Sequence, residues 1–134
     1  RISSVETLSN DTFQMIFIAG KKLKLDQLQE RIEFAKKHLA KNGIVVFDYA
    51  NPSAKFAGEA WKCVARLRCD KSGFVCVIAD VAHGCAVYRP DVPSRSYVDQ
   101  HLPQYDATEY LNANRAELLN LINWDQFELI SRLF

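Results

Sequence analysis

No Cys-x-x-Cys pair, no internal repeat, no low-complexity stretch and no long apolar run occurs in this chain of 134 residues, and each absence narrows what it can do. Without about 18 consecutive apolar residues there is no candidate for a membrane-spanning helix. The four cysteines, at 63, 69, 76 and 85, match no zinc-ligand spacing. Even His83 with Cys85 makes a poor start on a metal site, and no metal or other cofactor is expected. An excess of one charge sign is lacking too. Lysine and arginine number 17 against 16 acids, a net charge of +1, whereas a protein that grips phosphates broadly carries a basic surplus.

What is present is an ordinary globular mixture. Apolar residues make up 49% and charged residues 25%, enough to bury a core without disulfide staples. Cys63 and Cys76 lie in apolar surroundings, where a free thiol acts as a small hydrophobe. Unpaired thiols point to a reducing compartment, the cytosol or nucleus. The chain opens on Arg1 and closes on Leu133 and Phe134; it is expected to be a domain cut from something longer, close to a structured element at its end.

Hydrophobic periodicity divides the chain. Phe13, Met15 and Phe17 alternate within 12–18 and predict a strand. Leu25, Leu28, Ile32, Ala35 and Leu39 recur at helical spacing, with Asp26 and Gln29 as a capping start and Asn42-Gly43 as a stop. From Gly43 that period is lost. Ile44–Tyr49 predicts a strand, and Asn51-Pro52-Ser53 the loop after it. Ala60–Cys69 sets Trp61, Cys63, Ala65 and Leu67 against Lys62, Arg66 and Arg68, with Val64 among the latter, and is expected to be a half-buried strand. A turn at Asp70-Lys71-Ser72-Gly73, a buried strand at Phe74–Val81, a turn at Ala82-His83-Gly84 and a strand at Cys85–Arg89 follow, closed by Pro90. Four short strands joined this way predict a bent meander or small barrel. Beyond Pro93, Asp106–Asn112 fits a strand or a first helical turn. Residues 114–122 predict a helix, and Asp125 with Glu128 caps a last one carrying Phe127, Ile130 and Leu133.

The stretch from Gly43 to Val92 resembles the barrel of the extended Tudor family. Glu59-Ala60-Trp61-Lys62-Cys63-Val64 stands where that family has a Gly-x-Trp-Tyr-Arg-Ala strand. Val75 to His83 stands where it has a strand ending in Asp-Tyr-Gly-Asn. The flanking strand and helix before 43, and the helical segments after 92, fit the family's nuclease-like half. The resemblance implies an α+β, β-rich fold in three stretches: 1–42 as strand and helix of the nuclease-like half, 43–92 as a small bent antiparallel Tudor barrel, and 93–134 as the helical remainder of a partial nuclease-like half. Asp80 would match the structural Asp of the family motif.

In that family an aromatic cage holds a methylated side chain by cation–π attraction. The cage positions fall on Tyr49, Lys62, Ile78 and Val81, and the guanidinium-binding Asn position on His83. One ring in four remains and a lysine stands at the mouth, so methylarginine recognition is expected to be absent or weak. For Tyr49 and His83 a strand-end aromatic and a turn histidine are the plainer explanation. Trp124 and Phe127 form an alternative partner surface, although an apolar helical stripe ordinarily faces the core.

The function expected on these grounds is a scaffold module that binds a protein partner through a short linear peptide. The resemblance implies a small-RNA silencing (piRNA) or germ-granule setting in the cytoplasm, with perinuclear RNA granules as a finer option. RNA binding through Arg66, Arg68 and Lys71, with Lys21, Lys22 and Lys24 as a second basic group, is the alternative. No membrane and no small-molecule substrate is expected. Catalysis by Cys85 with His83 lacks an orienting third group, so no catalytic residue is assigned.

Overall fold

The computed structural model describes residues 12–53, 58–94 and 108–132. Among these residues five strands form one open mixed sheet in the order β1-β2-β4-β3-β5, with four helices. The strands are β1 Phe13–Ile18, β2 Leu39–Phe47, β3 Phe74–Ile78, β4 Cys85–Arg89 and β5 Leu121–Ile122. The helices are α1 Leu25–Lys37, α2 Ala60–Cys69, α3 Thr108–Leu118 and α4 Trp124–Ser131. β1 runs parallel to β2 and β5 parallel to β3, while β4 lies antiparallel to both β2 and β3. Four strands therefore point one way and β4 alone opposes them.

This is an α/β arrangement and not the closed Tudor barrel expected over 43–92. The overturning element is α2. Its apolar residues alternate well enough to read as a strand, but Val64 falls on the wrong face of that strand. On a helix, Ala60, Trp61, Val64, Ala65 and Arg68 share a buried side, with Cys63 and Cys69 at its margins. A helix here is also what the connection demands, because parallel β2 and β3 need a crossover between them.

Alternation along the strands sorts the sheet into two faces. Ile16, Ile18, Val45, Phe47, Val75, Val77, Ala86 and Tyr88 bury against α1, α2 and α3 in the main core. Cys76, Ile78 and Val87 form a second cluster on the opposite face, joined by Val46, Phe74, Ile122 and Phe127 of α4. Phe127 thus faces the core, whereas its neighbour Trp124 is 45% exposed.

Smaller departures have local causes. β2 begins at Leu39, inside the expected helix. Phe13 pairs with Leu39 but Met15 pairs with Ile44, so the chain makes an excursion over 40–43 that contains Asn42 at φ 63°. α1 starts earlier than expected, with the Lys24 N–H donating to Gln27 Oε1 at 2.9 Å. α4 is capped reciprocally by Asn123 and Gln126, not by Asp125 and Glu128. Leu121 and Ile122, expected in a helix, pair with Val77 and Ile78. Asn120, at φ 49°, ends the helix, and its side-chain amide donates to the Val75 carbonyl at 3.1 Å. Residues 1–11, Asp106, Leu133 and Phe134, which also carried expectations, lie outside the described residues.

Arg68 is only 2% exposed, and its Nη2 donates to the Glu117 carbonyl at 3.0 Å, in the last turn of α3. The carbonyl end of a helix favours a cation there. Burial pushes the guanidinium pKa down, opposed by nearby Glu117. Arg68→Ala removes this hydrogen bond and the packed stem together, and we expect a loss of about 2–4 kcal/mol in urea-induced unfolding. Arg68→Met keeps the stem and should recover part of that loss.

Candidate functional site

Because β1, β2, β3 and β5 run together, their carboxyl ends and the start of β4 share one edge of the sheet. In open α/β sheets this is the edge where ligands gather. Here it collects the turns after β1 and β2 and the β3–β4 connection at 79–84.

Three backbone hydrogen bonds lace the extension of β2 to that connection: Tyr49 N–H to Ala82 O at 3.2 Å, Ala50 N–H to Gly84 O at 2.9 Å and Asn51 N–H to His83 O at 3.1 Å. The approach is close. A Cβ on Gly84 would lie 2.4 Å from both the Asn51 Cβ and the Asn51 nitrogen. Left-handed backbone concentrates at this seam, with Tyr49 at φ 57°, Ala82 at 50°, His83 at 58° and Gly84 at 93°. Such a conformation is uncommon for a bulky aromatic and recurs at functional sites.

The seam places the Tyr49 and His83 rings in a stack, with centroids 4.7 Å apart and planes inclined by 17°. Lys21, from the turn after β1, holds its Nζ 5.2 Å from the Tyr49 centroid. The cation over Tyr49 is therefore the chain's own. Asp48 beside it accepts the Gly20 N–H at 2.8 Å, tying the first two turns together.

Next to this stack lies a cleft of about 480 Å³ between the end of the β2 extension, the first turn of α2 and α3, and its lining includes Ser53, Glu59, Trp61, Lys62, Asn112 and Arg115. Arg115 is its fixed cation. Its Nη1 donates to Asn51 Oδ1 at 2.8 Å and to the Pro52 carbonyl at 2.6 Å, clamping the loop to α3. Lys62 is the adjustable one, with Nζ 3.8 Å from Glu59 Oε2 and 5.9 Å from the Trp61 ring centroid. Glu59 also accepts the Leu25 N–H at 2.7 Å, so the amino ends of α1 and α2 meet at one carboxylate. α2 has no side-chain cap and no acid in its first turn. Its amino-terminal partial positive charge adds to that of Lys62 and Arg115.

The residues singled out from sequence are distributed unevenly. Tyr49 and His83 meet, and Lys62 lines the adjacent cleft. Ile78 is buried in the second cluster and Val81 packs against it, so neither joins a cage around Tyr49. Of the basic trio, Lys71 is exposed, Arg66 half-buried and Arg68 buried; they do not present one basic face. The second basic group has Lys21 over Tyr49, with Lys22 and Lys24 exposed. Sequence reasoning missed Arg115 and Asn112, which lie far from the β2 loop along the chain, and Glu59, which is near it but forms no motif with it.

Among the described residues no cluster of three His, Cys, Asp or Glu side chains is placed to hold a metal ion. No helix among them is long and apolar enough to cross a membrane. Burial pushes the Cys63 and Cys76 thiols up to about 12, and burial followed by Asp48 also raises that of Cys85. A raised thiol stays protonated and poorly nucleophilic. Comparison with protein families, curated proteins and solved structures finds no match to this chain.

Two outcomes check this geometry. Gly84→Ala should cost about 3 kcal/mol or more in denaturant unfolding, since both the positive φ and the Asn51 backbone oppose a side chain. In the native protein at pH 8, Cys63 and Cys76 should resist iodoacetamide, read by mass spectrometry, because a pKa near 12 leaves only about one thiol in ten thousand ionised. All four cysteines should label once urea is added.

Proposed function

We propose that this chain is a protein-interaction module that takes a short acidic segment of a partner protein into the cleft between α2 and α3. The observation that carries the proposal is the composition of that cleft: an immobilised guanidinium at Arg115, a second cation at Lys62 and the uncapped amino end of α2, gathered beside the Trp61 ring. Its volume of about 480 Å³ lies within the range that holds a few residues of a peptide. Charge-assisted hydrogen bonds to a carboxylate are the strongest contacts such a lining offers. Glu59 is the one acid among the residues named here. It already accepts from Leu25 and pairs with Lys62, so a peptide carboxylate would compete with it for the lysine.

Binding that ignores arginine methylation fits the same geometry, since Lys21 already stands over Tyr49 and the aliphatic cage positions lie in the core. The small-RNA and germ-granule setting rested on a barrel that this sheet does not form, and nothing at the cleft calls for it. The four cysteines form no disulfide, which is consistent with a reducing compartment such as the cytoplasm. The RNA alternative gains no support from Arg66, Arg68 and Lys71, because burial of Arg68 leaves no common basic face.

Fluorescence anisotropy with a small library of acidic, neutral and basic peptides tests the proposal. Acidic peptides should bind preferentially and more weakly at higher salt. Lys62→Glu, at a half-exposed position, should reduce their affinity about tenfold while leaving the unfolding midpoint nearly unchanged. Equal binding of all three charge classes, or no effect of Lys62→Glu, would overturn it.

A further inference from the structure

Glu59 is the N-cap residue of α2, yet its side chain makes no capping hydrogen bond to its own helix. A carboxylate in that position ordinarily turns back onto the first-turn N–H groups. Here Oε1 instead accepts the Leu25 N–H at 2.7 Å, across 34 residues of chain. Leu25 is the first residue of α1, and the leading N–H groups of a helix have no partner within it. The preceding Lys24 N–H is served by Gln27. Glu59 thus completes the cap of α1 from another element.

The two carboxylate oxygens have different duties. Oε1 holds a short, charge-assisted bond to a backbone group whose position the helix fixes. Oε2 lies 3.8 Å from Lys62 Nζ, a looser ion pair between partly exposed side chains. An incoming carboxylate can take the flexible lysine from Oε2. It cannot draw Glu59 out of the cleft without uncapping α1. Glu59 therefore stays when Lys62 changes partner, and its charge then faces the ligand. In an extended segment successive residues are roughly 3.3 Å apart. Side chains flanking an acid seated at Lys62 come within a Debye length, about 8 Å, of Glu59. An uncharged neighbour is indifferent to that carboxylate, whereas a second acid is repelled by it.

We infer that Glu59 sets the charge selectivity of the cleft: held by the Leu25 N–H, it admits a segment with one isolated acidic residue and turns away a run of them. The inference rests on the reading of the cleft as an acid-binding site and adds the class of acidic segment it takes. The Leu25 backbone is the positioning group. It belongs to α1 and is not among the residues that line the cleft.

Fluorescence anisotropy with the whole chain tests the inference, using one peptide with a single Glu among uncharged residues and one with three consecutive Glu. The wild-type protein should bind the two within about threefold of each other. Glu59→Gln keeps an oxygen for the Leu25 N–H but no charge. It should shift the affinity ratio at least about fivefold in favour of the acidic run. Leu25→Pro removes the anchoring N–H at a first helical position, where proline is accepted. The residue before it is already extended, as proline requires, with Lys24 at φ −74° and ψ 162°. With the carboxylate free to leave, the ratio should move the same way by about twofold or more. This variant also gives up a side chain packed against the core, so circular dichroism checks its fold, and Glu59→Gln decides alone if it is unfolded. A wild-type protein that favours the run by more than about threefold, a ratio unmoved by Glu59→Gln, or a folded Leu25→Pro with the wild-type ratio would overturn the inference and leave the acid-binding reading standing. If neither acidic peptide binds more tightly than an uncharged control, both fall.

Discussion

The close contact between the β2 extension and the β3–β4 connection is the constraint on which the candidate site depends. Gly84 sits against the Asn51 backbone with no room for a side chain. Three backbone hydrogen bonds hold the two segments together only if Tyr49, Ala82 and His83 accept left-handed φ values. The stack of Tyr49 on His83 follows from that backbone path. So does the position of Asn51, whose side-chain oxygen is half of the anchor for Arg115. Through Arg115 the seam fixes α3 relative to the β2 loop, and the cleft is the space this leaves. Strain at one edge of the sheet is thereby offset by hydrogen bonds spread over three elements.

Cations elsewhere serve the interior more than the surface. Arg68 lies under α3 and Arg89 within the sheet, both nearly inaccessible to solvent. In Arg68 the head group meets the carbonyl end of a helix. A neutral overall balance of charge therefore hides a division of labour. Some arginines are structural, Arg115 both braces a loop and lines a cleft, and the lysines stay outside.

Much of the fold was legible where one period dominated. β1, β3, β4 and α1 follow from alternation or helical spacing bounded by turn residues. α2 was not, because Trp61, Cys63, Ala65 and Leu67 satisfy the strand period while Ala60, Trp61, Val64, Ala65 and Arg68 satisfy the helical one. Only Val64, and the need to connect two parallel strands, separate the two readings. β5 escaped because two residues are too few to show any period. Taking α2 as a strand also made the sheet antiparallel throughout and so lent the Tudor resemblance its barrel. At the site, Tyr49 and His83 were noticed through cage positions that do not form a cage here. They nevertheless meet, since a strand end and a hairpin turn at the same edge of a sheet are neighbours in many topologies. The cleft had no local signature, as its residues come from three elements spread between 52 and 115.

The mixed direction of the sheet also bears on how the chain acquires it. β3 and β4 are joined by the short connection at 79–84 and can pair as soon as both are synthesised, at little cost in chain entropy. β2 must find β4 across the whole of α2, and β1 and β5 each attach beside a parallel neighbour through a helical crossover. The central hairpin is thus the most local pairing in the sheet, and the left-handed residues at 82–84 lie within it. The cleft, by contrast, is bounded by elements that only the long-range pairings bring together.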